Sequence, residues 1–164
     1  MAGQAFSYRS QGFSQQREKN RFVLPKEIRH TVRQSSGDQP MLCLVKHDRW
    51  PCLSGFGLSR VDGFEDELDL EQDRKIKAGE PFDRELKAMQ LYGYSKVPFD
   101  GSGRFVLPDH MATLAGIGSR LFFNGLGPYF TIWAPEELAK MGDGWQGLQA
   151  SCDMLARDAA KGKE

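Results

Sequence analysis

Two arginines, Arg21 and Arg104, head identical pentapeptides, Arg21-Phe-Val-Leu-Pro25 and Arg104-Phe-Val-Leu-Pro108, 83 residues apart. A planar guanidinium presents its donors as a rigid fork, which suits a phosphate or the O6/N7 edge of guanine. Each arginine follows a turn-forming stretch, Glu18-Lys-Asn20 in the first copy and Gly101-Ser-Gly103 in the second. Gly103 takes positive φ at no steric cost, so the chain can reverse sharply there and hold Arg104 outward. The Asp100 carboxylate can accept backbone N–H groups of that turn or pair with Arg104. Two readings of the arginines stand at this point: contact with a polyanion, or an intramolecular pair that fixes the turn. In the first copy Arg17 and Asn20 occupy the places of Asp100 and Gly103. Asn tolerates the left-handed region, so this turn can survive; either this copy is the better phosphate binder of the two or its turn geometry has loosened. Loss of the carboxylate removes a local partner for Arg21, while Arg17 and Lys19 add positive charge.

Other chemistry has little support. His30, His47 and His110 do not occupy matching positions in the two copies, and no nucleophile, base and orienting acid cluster in the sequence. Asp100-Gly-Ser-Gly103 lacks the glycine spacing and the Lys-Ser/Thr of a phosphate-binding loop. No enzyme and no cofactor are expected. Cys43, Cys52 and Cys152 form no Cys-x-x-Cys pair and have no histidines at ligand spacing, so neither a disulfide framework nor a metal site is expected. Three reduced thiols fit the cytoplasm. The start of the chain has no basic cap leading into an apolar run, and the most apolar stretch, 121–133, is broken by Asn124, Gly125, Gly127 and Pro128. Neither a secretion signal nor a membrane span is expected.

With 164 residues, 40% of them hydrophobic, the chain can bury one ordinary core or two small ones tightly joined. Its formal net charge of zero hides an asymmetry. Residues 1–34 carry seven basic side chains against two acidic ones, a net of +5, whereas residues 59–91 carry six against ten, a net of −4. Such a division suits a protein with one face turned to a polyanion, and equally a solvated surface of uneven charge.

The elements that must position the arginines repeat with them. After each pentapeptide a short helix is expected, with Pro at its first position and an apolar residue, Ile28 or Met111, three further on. Two short apolar runs around a turn follow: 41–45 and 50–53 in the first half, 121–123 and 129–133 in the second. Each half thus reads as strand, turn, strand, short helix and hairpin. A unit of about forty-five residues exposes too much surface to stand alone, so the two interlock into one core. Between them, 62–73 reads as a solvated helix, and Phe82, Leu86, Met89 and Tyr92 align on a helix opened by Pro81. At the end, Trp145, Leu148, Cys152, Leu155 and Ala159 share one face, fit either to pack on the chain's own core or to meet another subunit.

The second copy in full reads Asp-x-x-Gly-Arg-x-x-x-Pro, over Asp100, Gly103, Arg104 and Pro108. With the duplication, the stretch Gly79-Glu-Pro81 through Leu91-Tyr-Gly93, and a closing strand leading into Pro135-Glu-Glu-Leu138, the chain resembles the MraZ family of bacterial transcriptional regulators from about Phe6 to Leu138. The resemblance implies an α+β, mainly β fold of duplicated AbrB-type swapped-hairpin β-barrel units with linking helices. It divides the chain into a first repeat (6–58), a helical link (59–92), a second repeat (93–138) and a C-terminal helix with a short tail (139–164).

The same resemblance implies sequence-specific binding of double-stranded DNA by a homo-oligomeric ring on repeated promoter boxes, with repression of a cell-division and cell-wall gene cluster. It also implies a cytoplasmic, nucleoid-associated location. For the arginines it tips the open choice toward DNA. Arg21 is the first candidate, with Arg17, Lys19, Arg104 and Arg29, and with Asn20, Asp100 and Gly103 shaping the turns. AbrB-like folds also serve antitoxins, which hold a partner protein through a long disordered tail. The helical spacing of 145–159 is the feature that separates the two readings.

Overall fold

The computed structural model describes residues 6–162. Within them the chain runs through β1 (Gln11–Gln15), β2 (Arg21–Val23), α1 (Lys26–Ser35), β3 (Met41–Lys46), β4 (Leu53–Phe56), a 3-10 segment (Leu58–Gly63), α2 (Phe64–Ala78) and α3 (Arg84–Tyr92). The same order of strands returns as β5 (Ser95–Pro98), β6 (Arg104–Val106), α4 (Asp109–Leu114), β7 (Arg120–Gly125) and β8 (Phe130–Trp133), followed by α5 (Pro135–Leu138) and α6 (Gln146–Gly162). None of the described helices is long and apolar enough to cross a membrane.

Six strands form one sheet in the order β1-β7-β8-β4-β3-β5, and β2 pairs with β6 in a separate two-stranded ribbon. All these pairings are antiparallel. Exchanging the halves, β1 for β5 through β4 for β8, turns the strand order into its own reverse. The fold is therefore α+β with a mostly antiparallel sheet. Closed β-barrel units do not form among the described residues: β1 and β5 are open edges. The reason lies in the pairing, because β1 joins β7 and β5 joins β3 instead of closing on their own half.

Side-chain alternation then covers both sheet faces. Leu42, Leu44, Leu121, Phe123 and Ile132 point to the main core, which Phe22, Ile28, Phe105 and Met111 fill from the ribbon, α1 and α4. On the other face Phe122 and Trp133 meet Cys152 of α6, and Cys43 and Phe56 meet Phe64 of α2. Burial on both sides explains why β3 and β7 read as unbroken apolar runs. It also pushes the thiols up, Cys43 and Cys152 to about 11 and Cys52 to about 12. All three cysteines are buried and free.

Several local expectations shift. Trp50 lies in a loop, and the fourth strand begins at Leu53. That loop is wound about His47, whose Nδ1 accepts the N–H groups of Arg49 and Trp50, both at 3.1 Å. Burial lowers the His47 pKa, and with Nδ1 taken up as an acceptor it is Nε2 that faces the Tyr129 hydroxyl, 3.2 Å away, as the donor. Gly55 belongs to β4 because a Cβ there would stand 2.4 Å from the Phe130 ring. Pro25 and Pro108 are the last extended residues before α1 and α4, at ψ 145° and 140°. Pro81 and Phe82 stand outside α3, which is capped by Asp83 accepting from the Leu86 N–H at 3.1 Å. The expected stripe on α3 is largely uncovered: Leu86 and Met89, with Leu70 and Ile76 of α2, are 50–67% exposed.

Phe22 and Phe105 face each other across the ribbon, ring centroids 6.3 Å apart, and both are fully enclosed in the shared core. Phe22→Ala and Phe105→Ala should each cost about 3–5 kcal/mol. Because the rings touch, the double variant should lose less than the sum. Urea unfolding is the measurement, with one transition expected; separate unfolding of one half would contradict a single core.

Candidate nucleic-acid interface

The second turn is built around Asp100. Its Oδ1 accepts the N–H groups of Ser102 and Arg104, both at 2.9 Å, and its Oδ2 accepts from Arg104 Nε at 2.7 Å. The Gly103 N–H donates to the Asp100 carbonyl at 2.9 Å, and Gly103 adopts φ 88°. The backbone N–H of Arg104, then its guanidinium and the Ser102 N–H, hold the Asp100 carboxyl below its ordinary value. Asp100 thus forms the intramolecular pair and still leaves Arg104 60% exposed at its side chain.

The first turn also places a left-handed residue just before its arginine, but its turn hydrogen bond falls one residue later, between Glu18 and Arg21. Asn20 adopts φ 60°, and the Arg21 N–H donates to the Glu18 carbonyl at 2.9 Å. Gln16 supplies part of what Asp100 supplies in the other copy: its Oε1 accepts the Asn20 N–H at 2.8 Å. The Asn20 side chain donates to Asp109. Arg21 is not left without a local partner, contrary to the sequence expectation, since its Nε lies 3.2 Å from Glu18 Oε1. That pair is exposed, with half of the Arg21 side chain in solvent, so it is worth at most about 1 kcal/mol and yields readily to a stronger anion.

The ribbon brings the two turns together. In its register Arg21 opposes Val106 and Arg104 opposes Val23. Phe22 and Phe105 point inward, so both arginines project from the outer face, diagonal to each other. Arg17, Arg21 and Arg104 line one depression with Glu18 and Ser102. Arg17 also lines a second with Val23, Lys26 and Arg29; Lys26 and Arg29 line a third with His30, Arg33 and Asp100. The three depressions, 650 to 690 Å³ each, adjoin through these shared residues and make one cationic face.

Of the residues singled out from the sequence, Arg17, Arg21, Arg29 and Arg104 lie on this face. A Cβ on Gly103 would stand 2.8 Å from an Arg29 guanidinium nitrogen, which shows how closely α1 approaches the second turn. Lys19 is exposed on the first turn and lines none of the three depressions. Lys26, His30 and Arg33 join the face without having been singled out. Their spacing with Arg29, at i, i+3, i+4 and i+7, was a readable signal. The acidic helix α2 packs on the opposite face of the sheet, so the charge asymmetry of the sequence becomes a division in space. Among the described residues no group of three or more His, Cys, Asp or Glu is placed to hold a metal ion. What the face offers is two guanidinium forks on a rigid ribbon, flanked by further cations, an arrangement suited to phosphates and to base edges in a groove that admits a two-stranded ribbon.

Because folding lowers the Asp100 pKa, its ionised form contributes stability at neutral pH that is lost as the pH falls through the lowered value. Asp100→Asn should therefore melt below the parent protein at pH 7, with the gap narrowing in acid. Thermal melts of both proteins across the carboxylate range check this; a gap independent of pH would contradict the ionic role.

No protein-family model matches the chain. Individual proteins do. It is 32% identical to the transcriptional regulator MraZ of Parvibaculum lavamentivorans over 118 residues, covering 71% of this chain and 69% of that protein. It is 30% identical to the MraZ of Gluconobacter oxydans over 126 residues, covering 74% and 72%. The MraZ of Caulobacter vibrioides is 29% identical over 118 residues, covering 72% and 70%. The repeated ribbon with its paired turns and this similarity over more than two thirds of each protein agree, and the chain belongs to the MraZ family of transcriptional regulators.

Proposed function

We propose that the protein is a sequence-specific, double-stranded-DNA-binding regulator that engages its site through the outer face of the β2–β6 ribbon. The observation that carries the reading is the diagonal placement of Arg21 and Arg104 on one exposed face, flanked by Arg17 and Arg29 and backed by a buried Phe22–Phe105 pair. Asn20, Asp100 and Gly103 set the two turns, and Lys19 reaches phosphates beyond the first. The exchange of first strands between the halves supports a swapped-hairpin ancestry, with repeats at 6–58 and 93–138, a helical link at 59–92 and a C-terminal segment at 139–164.

Membership of a family of transcriptional regulators supports the finer reading. The regulator acts in the cytoplasm, on the nucleoid, as a repressor of a cell-division and cell-wall gene cluster. It does so as a closed ring of identical subunits on repeated promoter boxes, where linked weak contacts gain avidity. The exposed Leu70, Ile76, Leu86 and Met89 support subunit contact through the α2–α3 arm. The antitoxin-like alternative needs a disordered tail; α6 is instead a helix whose Cys152 and Leu155 pack on the sheet.

The test is binding to a repeated-box promoter fragment at several salt concentrations, for the parent protein, Arg21→Ala and Arg104→Ala. Each variant should bind more weakly, by about 1–3 kcal/mol where the arginine reads a base. Where it meets a phosphate, the log–log salt slope should flatten by about 0.9. Unchanged affinity and slope in both variants would overturn the assignment.

A further inference from the structure

The ribbon relates the two halves by a local two-fold, so its flanks should match if the protein treated both sides of a bound duplex alike. They do not. At an offset of 83 residues, Arg17, Lys26, Arg29 and Arg33 of the first half correspond to Asp100, Asp109, Ala112 and Gly116 of the second. Four cations stand against two carboxylates and two uncharged residues. The alignment is structural as well as numerical. Ile28 and Met111 are the buried residues at equivalent places in α1 and α4, and the Leu24 and Leu107 N–H groups donate to Gly103 and Asn20 in the same way, at 2.8 Å.

The charge difference is spread along one edge. Arg17, Lys26 and Arg29 share a depression beside β2, and Lys26, Arg29 and Arg33 share the next one along α1, where three basic side chains and His30 outnumber the acidic Glu27 and Asp100. Lys26 and Arg33 are exposed and lie seven residues apart, about 10 Å along the helix axis at 1.5 Å per residue. That span is a few phosphate steps of a duplex. On the opposite edge the corresponding place holds Asp109, whose carboxylate accepts from the Asn20 side chain and would repel a phosphate.

We propose that α1 is a one-sided backbone clamp: Lys26, Arg29 and Arg33, continued by Arg17, hold phosphates along the β2 edge of the ribbon, while the β6 edge and α4 stand clear of the duplex. This rests on the DNA-binding reading and adds a polarity to it. The ribbon arginines read the groove from a symmetric position, and α1 fixes which way round the protein lies.

The experiment uses the full chain and a duplex selected by the parent protein from a random pool. Lys26→Ala/Arg33→Ala removes two exposed side chains and leaves both turns and the core intact. It should flatten the log–log salt slope by about 1.8, two contacts at about 0.9 each. Hydroxyl-radical protection should disappear from one flank of the footprint and persist under the ribbon. Thr113→Lys, which places a cation on the opposite edge, should leave both readouts unchanged. An unaltered slope and footprint in the double variant would overturn the clamp alone, as would a slope steepened by Thr113→Lys. A parent protein that retains no duplex from the pool would overturn the DNA reading and the clamp with it.

Discussion

The N–H of Leu24 donates to the Gly103 carbonyl and the N–H of Leu107 to the Asn20 carbonyl, each at 2.8 Å. These reciprocal bonds seat the tip of each turn beside the strand that leaves the other. They require Asn20 and Gly103 in the left-handed region, at φ 60° and 88°, which only a few residue types occupy at little cost. Everything on the outer face depends on that seating. The turns set where Arg21 and Arg104 begin, the ribbon sets their diagonal, and the buried Phe22–Phe105 contact keeps the ribbon from sliding. A one-residue slip would turn the arginines inward and the phenylalanines to solvent, which the apolar core forbids.

The two turns share a left-handed residue before the arginine and the same closing bond, Arg17 N–H to Arg21 carbonyl and Asp100 N–H to Arg104 carbonyl, but differ inside the turn and in electrostatics. Asp100 serves its turn three times over, by two backbone hydrogen bonds and an ion pair, so the second turn is stiff and its arginine is aimed. In the first turn Gln16 accepts the Asn20 N–H, the Glu18 carbonyl accepts the Arg21 N–H, and the Glu18 carboxylate, more exposed than Asp100, pairs with the guanidinium. Positive charge accumulates around β2 and α1, and negative charge is carried away on α2 behind the sheet. A chain with no net charge can in this way present a cationic face without the self-repulsion that an overall positive charge would bring.

Much of this was legible in the residues. The repeated pentapeptide located both turns, the Asn-for-Gly exchange correctly indicated a surviving left-handed residue, and the unbroken apolar runs located β3 and β7. What escaped was set by partners distant in the chain. The second apolar run, 50–53, was placed too early: β4 is Leu53–Phe56, set by its pairing with β3 and β8, and Gly55 stands in it where a Cβ would meet the Phe130 ring. The barrel expectation failed because strand pairing across halves cannot be read from either half alone. Gln16 and Glu18 went unrecognised as substitutes for the missing aspartate, since neither stands at its position in the motif. The α3 stripe was legible as one apolar helix face, but helical spacing reports only that a face is apolar, not what covers it.

The most direct test of the central claim is hydrogen–deuterium exchange of the whole protein with and without a duplex selected from a random pool. Protection on binding should concentrate in residues 16–24 and 100–107, with α1 following, and the backbone of α2 and α3 should exchange as before. Unchanged exchange at both turns while the duplex is bound, or protection confined to the α2–α3 arm, would contradict the assignment of the ribbon as the surface that meets DNA.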